Sequence, residues 1–330
     1  MTDPEICAAV RQHYGLAVRA VERIDRGSAA LFKLYGSEAA FILKVFQPKF
    51  RADSILREVH VTDFLRQNGI SVPEYIPCRN GDFYFMQNGR IAILQAFIPG
   101  QTREKGCCSK RELLDSARLL AQIVNALEHY PYDDLLPCEI SRYGSAARLL
   151  QATAACADLM AAAHADAVHG AEICRDLQDR LVMIARVSDA GAFVNTNALT
   201  LKRSHGDYSV MQLLYDGSEI KAVLDFVNAG EVPIAWELIR SYSYMDCTFN
   251  AARLAAYTNE YRRYAEVSMD DLRYMPYLYL DQLLSSTYGY KQYLQTGDEE
   301  LLAFGRWRTE MCRYLIANAG EVSAELVRLA

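Results

Sequence analysis

Two aspartates bracket a short stretch in the second half of the chain: His205-Gly206-Asp207-Tyr208-Ser209-Val210-Met211-Gln212 leads into it, and Val223-Leu224-Asp225-Phe226 closes it. Acidic groups held together at one edge suit two jobs, taking a proton from a hydroxyl and holding a hard cation through oxygen. Gln212 adds a carboxamide oxygen, which a hard cation also accepts. Taken singly, each aspartate is what a turn commonly uses. Their shared setting argues for more. The predicted strands Leu213 to Tyr215 and Ile220 to Phe226, joined by Asp216-Gly217-Ser218, make a hairpin set among helices.

The elements that must position these residues begin with an amphipathic helix over 4–14. Three strands follow at 17–24, 30–35 and 39–46, rich in aliphatic and β-branched residues. Asp25-Arg26-Gly27-Ser28 and Gly36-Ser37 separate them, so consecutive antiparallel hairpins are expected. Ile55, Val59, Phe64 and Leu65 fall at helical spacing, and Asn68-Gly69 stops that helix. Strands at 83–86 and 91–97 flank Asn88-Gly89, a strong hairpin signal. Ile98-Pro99-Gly100 then breaks the pattern. Beyond it the spacing predicts helices over 110–129, 142–163, 171–187, 235–245, 250–265, 270–295 and 299–318. The expected class is α+β, with one domain over 1–98 and a mainly helical one over 99–330.

The segment from His205 to Gln212, with Asp225 beyond the hairpin, resembles the catalytic loop and metal-binding segment of the aminoglycoside phosphotransferase family, which includes choline and homoserine kinases, and more distantly those of protein kinases. The resemblance implies a bilobal protein-kinase-like fold, with an antiparallel N-lobe sheet plus helix and a helical C-lobe. It makes Asp207 the catalytic base, and Asp225, with Gln212 where the family has Asn, the Mg²⁺ ligands. Pro233 and the helix opening at Ala235-Trp236-Glu237-Leu238 resemble the family's segment downstream of the metal aspartate, with Glu237 structural.

Upstream, Phe41-Ile42-Leu43-Lys44-Val45-Phe46 resembles the strand whose lysine contacts the α- and β-phosphates of ATP. Glu58, fourteen residues later on the next helix, is its implied ion-pair partner. Gly27 and Ser28 would bring backbone N–H groups to the phosphates, and the stretch from Gln95 to Phe97 resembles the hinge that hydrogen-bonds adenine. The implied activity is ATP- and Mg²⁺-dependent transfer of a phosphoryl group to a hydroxyl of a small molecule: an aminoglycoside, a choline- or homoserine-like metabolite, or a sugar. Gln212 motivates an alternative, a catalytically impaired relative that binds nucleotide or serves a structural, spore-coat-like role.

Composition narrows the remaining classes. A net charge of −6 over 330 residues opposes nonspecific nucleic-acid binding, which needs clustered Lys and Arg. The acidic start, Met1-Thr2-Asp3-Pro4-Glu5, is unlike a secretory signal, and no apolar run is long enough to span a bilayer, so a soluble cytoplasmic protein is expected. Nine cysteines without paired spacings read as reduced thiols, with the adjacent Cys107 and Cys108 exposed and oxidisable. Tyr274, Tyr277, Tyr279, Tyr288, Tyr290 and Tyr293 are read as packing between C-terminal helices, with a pocket wall offering cation–π contact to an amine as the alternative, and Asp246, Asp270, Asp271 and Asp281 as acidic surface positions or contacts to a cationic acceptor. No dinucleotide fingerprint, nucleophile elbow or P-loop is present.

Overall fold

The computed structural model describes residues 2–24, 29–189, 194–246 and 248–329. Helix α1 (Asp3–Tyr14) is followed by strands β1 (Ala20–Ile24), β2 (Ala30–Tyr35) and β3 (Ala40–Val45), helix α2 (Ala52–Gln67), and strands β4 (Tyr75–Ile76), β5 (Phe85–Gln87) and β6 (Arg90–Ala96). The strands form one antiparallel sheet in the order β1-β2-β3-β6-β4, with β5 also paired to β6. The β5–β6 turn is the expected one: Asn88 and Gly89 both have positive φ, 51° and 72°, as a two-residue hairpin of this hand requires.

Side-chain alternation decides what each face of the sheet meets. Phe32, Leu34, Leu43, Val45 and Leu94 pack with Ile6, Ala9 and Val10 of α1 in one cluster. On the other face Phe46, Tyr75, Ile91 and Ile93 pack with Ile55 and Val59 of α2. Lys44 lies between Leu43 and Val45 in β3 and opposite Ile93, so it shares the α2 face. The sheet thus presents a lysine to a helix.

The rest of the chain is mainly helical: α3 (Lys110–Leu127), α4 (Ala146–Ala163), α5 (Gly170–Asp189), α6 (Ile234–Met245), α7 (Ala251–Arg262), α8 (Met269–Leu284), α9 (Tyr288–Thr296) and α10 (Glu299–Arg328). Strands β7 (Leu201–Ser204), β8 (Leu213–Asp216), β9 (Glu219–Val223) and β10 (Gly230–Pro233) interrupt it, β8 pairing with β9 and β7 with β10. The strand-rich start, the helical remainder and the inserted hairpin are as expected. Two compact units are resolved. One comprises Met1–Pro137, Lys202–Val232 and Ser241–Thr248; the other comprises Cys138–Leu201, Pro233–Arg240 and Phe249–Ala330.

Several expectations are corrected. The single helix over 270–295 is two, broken at Ser285–Thr287, where buried Arg180 of α5 donates to the carbonyls of Leu283, Leu284 and Ser286. Helix α10 runs ten residues beyond 318, because Ala319, Val322 and Leu326 are buried. The second hairpin strand ends at Val223 rather than Phe226, since Asp225 turns left-handed. Cys108 is buried rather than exposed, and burial pushes its thiol up to about 11, which withholds the reactive thiolate; Cys107 is exposed. Tyr279, Tyr290 and Tyr293 are buried, whereas Tyr288 is exposed. Asp271 is fully buried, accepting from Thr200 N at 2.9 Å and Ser268 N at 3.0 Å, and Asp246 accepts from Tyr242 Oη at 2.8 Å. Among the described residues no helix is long and apolar enough to cross a membrane.

Candidate active site

Three elements converge on Lys44. Its Nζ lies 2.7 Å from Asp225 Oδ1, and 3.3 and 3.4 Å from the two carboxylate oxygens of Glu58. The fourteen-residue spacing from β3 to α2 does form the expected ion pair. Glu58 has no exposed surface, and Lys44 retains 12%. The ammonium also stands 4.7 Å from the centre of the Phe46 ring, a favourable cation–π position.

Burial sets the electrostatics here. Desolvation raises the pKa of Glu58, and Lys44 only partly offsets it. Desolvation acts to lower the pKa of Lys44, but Glu58 and Asp225 outweigh it, so the ammonium is held more firmly than in water. For Asp225 desolvation pushes upward, yet Lys44 reverses the sign, and its carboxyl lies below the usual range. Lys44 is therefore a fixed positive charge between two carboxylates.

Asp225 occupies the left-handed region, with φ 68° and ψ 58°, at the head of a single helical turn over Phe226–Asn228. That conformation costs energy for a residue with a Cβ, and aspartate is among the side chains that tolerate it. It takes the carboxylate out of the β9 register and towards Lys44. Oδ1 meets the lysine, and 39% of the side chain remains exposed, which leaves Oδ2 for a further ligand.

The loop carrying Asp207 is fastened to this turn. His205 Nε2 lies 2.8 Å from the carbonyl of Leu224, its ring 4.5 Å from that of Phe226, and its Nδ1 accepts from Asp207 N at 3.3 Å. With Nδ1 accepting, Nε2 carries the proton and donates to Leu224. Gly206 has φ 76°, and a Cβ there would stand 2.1 Å from the carbonyl oxygen of Asn228. Only glycine permits so close an approach. Tyr208, fully buried, anchors the loop to α3 by donating to the Ser116 carbonyl at 3.0 Å. Asp207 itself stays half-buried.

Gln212 is tied to the same turn: its carbonyl accepts from Leu224 N at 2.8 Å, and its side-chain oxygen accepts from the Ser209 hydroxyl. An amide oxygen has two lone pairs, so one acceptor position remains. One carboxylate oxygen and one carboxamide oxygen suit a small hard cation that takes its other ligands from phosphates and water. Among the described residues there is no cluster of three or more His, Cys, Asp or Glu that would hold a metal unaided.

Gln95 and Phe97 end β6 and the segment after it. Gln95 pairs with Ile42 and Tyr75, and the N–H groups of Ala96 and Phe97 are spent on the carbonyls of Glu74 and Ala40, at 2.8 and 3.1 Å. Those two N–H groups are therefore already engaged within the fold. Lys33 Nζ lies 4.0 Å from the Phe97 ring centre. Gly27 and Ser28 lie outside the described residues. Glu237 is fully buried in α6, consistent with a structural role.

One contributor escapes sequence reasoning. Tyr75 donates its hydroxyl to Glu58 Oε1 at 2.8 Å, and both residues are buried. Strand β4 is only two residues long, too short for any periodicity. Its position after Pro73, at the end of the α2–β4 connection, was the sole signal.

The phosphotransferase enzyme family model matches residues 20–267, a span that includes Lys44, Glu58, Asp207, Gln212 and Asp225. No curated protein matches the chain in sequence. Among solved structures, spectinomycin phosphotransferase in complex with ADP and spectinomycin superposes with a TM-score of 0.68 at 11% identity, covering 98% of this chain and 99% of that one. Amicoumacin kinase in complex with AMP-PNP and Ca²⁺ gives 0.65 at 13%, covering 95% and 94%. A microcompartment-associated aminopropanol kinase gives 0.63 at 14%, covering 99% and 100%. At such identities the likeness is one of fold; the family match is one of sequence, over most of the length. The chain belongs to the phosphotransferase enzyme family.

Proposed function

We propose that the protein transfers the γ-phosphoryl group of ATP, with Mg²⁺, to a hydroxyl of a small molecule. The observation that carries this reading is the placement of Lys44 between Glu58 and Asp225, with the Asp207 loop fastened to the Asp225 turn through His205 and Gly206. Structural neighbours bind ADP or an ATP analogue, and one binds Ca²⁺, which supports nucleotide and divalent-cation use here. An antibiotic and an amino alcohol appear among the neighbours' named substrates, which supports a small-molecule acceptor.

In this mechanism Lys44 binds the α- and β-phosphates and Glu58 orients it. Asp225 and Gln212 would hold magnesium, which when bound would neutralise charge on the phosphates. Asp207 receives the proton of the acceptor hydroxyl as its oxygen bonds to phosphorus and ADP departs. Catalysis is then mostly positioning and charge stabilisation. We further place the lobe boundary of this kinase near residues 98–99, with the acceptor site contributed by the helical part.

Calorimetric titration with ATP, with and without Mg²⁺, on wild type and Asp225→Ala tests the reading. Magnesium-dependent binding that is lost in the variant supports it and justifies screening hydroxyl acceptors. Absence of binding under both conditions overturns it in favour of a noncatalytic relative.

A further inference from the structure

Glu58 has no exposed surface, and its partners among the described residues are few. Oε1 accepts from Tyr75 Oη at 2.8 Å and lies 3.3 Å from Lys44 Nζ; Oε2 meets Lys44 alone, at 3.4 Å. The backbone of Glu58 is held separately, its carbonyl accepting from Thr62 Oγ1 at 2.8 Å. The shortest of the carboxylate contacts is therefore to the phenol, not to the lysine.

Lys44, for its part, is closer to Asp225 than to Glu58, at 2.7 Å against 3.3 Å. Two carboxylates compete for one ammonium. Whenever Lys44 leans towards Asp225, or towards phosphates, Glu58 is left in a dry site with Tyr75 as its remaining donor. A buried carboxylate without a donor either takes up a proton or turns away, and in either case loses its hold on the lysine.

The geometry points to Tyr75 as a positioning residue: its hydroxyl fixes Glu58 so that the carboxylate stays oriented towards Lys44 while the lysine engages nucleotide phosphates. This rests on the phosphate-binding role proposed above for Lys44. Tyr75 touches neither phosphate nor acceptor; it acts through Glu58. Its own placement is firm. The ring is packed among Phe46, Ile55, Val59, Ile91 and Ile93, and its backbone pairs with Gln95 of β6. The hydroxyl is delivered by a rigid ring on a sheet, not by a mobile surface side chain.

The test is Tyr75→Phe, which keeps the ring and deletes only the donor. ATP and adenosine are titrated calorimetrically into wild type, Tyr75→Phe, Glu58→Gln and the double variant, all with Mg²⁺. Tyr75→Phe is expected to weaken ATP about ten-fold, the low end of what a hydrogen bond to a charged group contributes. Adenosine, which has no phosphate for Lys44 to hold, should bind unchanged. In the Glu58→Gln background, adding Tyr75→Phe should change ATP affinity less than two-fold, because the route through the carboxylate is already cut. Equal weakening of ATP and adenosine, full additivity of the two substitutions, or loss of the fold in Tyr75→Phe would each make Tyr75 a packing residue and overturn the inference. If wild type binds ATP no better than adenosine, the phosphate role of Lys44 itself has failed, an outcome separate from any behaviour of the variants.

Discussion

Replacing Lys44 by Met keeps the length and apolar stem of the side chain and removes the charge that makes Glu58 tolerable. Glu58 has no exposed surface and would retain only the Tyr75 hydroxyl. Breaking a buried ion pair from one side costs about 3–5 kcal/mol, because the remaining charge is stranded. The carboxyl escapes part of this by protonation, and the pH dependence exposes that route. Its pKa in the folded protein is already raised by burial, and loss of Lys44 raises it further. A carboxyl whose folded pKa lies above its unfolded one favours folding fully below the unfolded value and loses that contribution as pH rises through the folded one. Lys44→Met should therefore lie closest to wild type at acidic pH and fall further below it as pH rises past the folded pKa of Glu58 in the wild type towards the higher one in the variant. Over that range the gap widens by up to about 1.4 kcal/mol per pH unit. Urea unfolding followed by circular dichroism at pH 5, 6, 7 and 8 measures it, and Lys44→Met/Glu58→Gln, which leaves only the partly exposed Asp225 without its lysine and no charge on the fully buried position 58, should recover most of the loss. A single variant as stable as wild type at every pH, or a double variant no better than the single, would show that Glu58 is not held as an anion by Lys44.

Asp207→Asn should leave ATP affinity essentially unchanged while lowering kcat about 10²- to 10⁴-fold with the true acceptor, the range a general base contributes; unchanged turnover removes Asp207 from the mechanism. Gln212→Asn should release the Ser209 hydroxyl and draw the carboxamide back, raising Mg²⁺ affinity in a titration of nucleotide-bound protein. If neither metal nor nucleotide binding responds, position 212 has no metal role. Gly206→Ala places a methyl 2.1 Å from the Asn228 carbonyl oxygen at a φ of 76°. The displaced Asp207 should cost about 10²-fold in kcat/KM, as a misplacement of about 1 Å does, and activity near wild type would mean the loop has slack.

The parts of the site legible in the sequence are those where local pattern and tertiary role coincide. Lys44 could be placed because it is the one charged residue in the apolar run of β3, and Glu58 because α2 follows a helical period ended by Asn68-Gly69. The hairpin behind Asp225 announced itself through Asp216-Gly217. What stayed hidden depends on contacts between distant segments. Asp225 leaves the strand because its carboxylate is drawn to Lys44, 181 residues away, and apolar residues on both sides of it conceal the turn. Tyr75 looks like any aromatic in a short apolar run until Glu58 is seen beside it. The α8–α9 break lies inside a Tyr- and Leu-rich stretch whose period hardly falters, and Ser285-Ser286-Thr287 is a weak breaker without Arg180. Helix α10 continues past 318 and through Gly320 because a mid-helix glycine costs only about 1 kcal/mol, less than burial of Val322 and Leu326 returns.

The break between α8 and α9 also behaves as a ruler. Arg180 is 1% exposed, and its guanidinium, a flat fork that stays charged, reads three carbonyls within the four residues 283–286. A second arm reaches Thr309 Oγ1 and Cys312 Sγ on α10, at 3.4 and 3.6 Å. Substituting a linker side chain leaves that backbone pattern in place. Inserting or deleting one residue does not: a carbonyl shifts by a full residue step, and a permanent cation is stranded in the core. Surface connections ordinarily tolerate changes of length better than the elements they join. Here the order is reversed, and a three-residue linker has its length fixed from the interior.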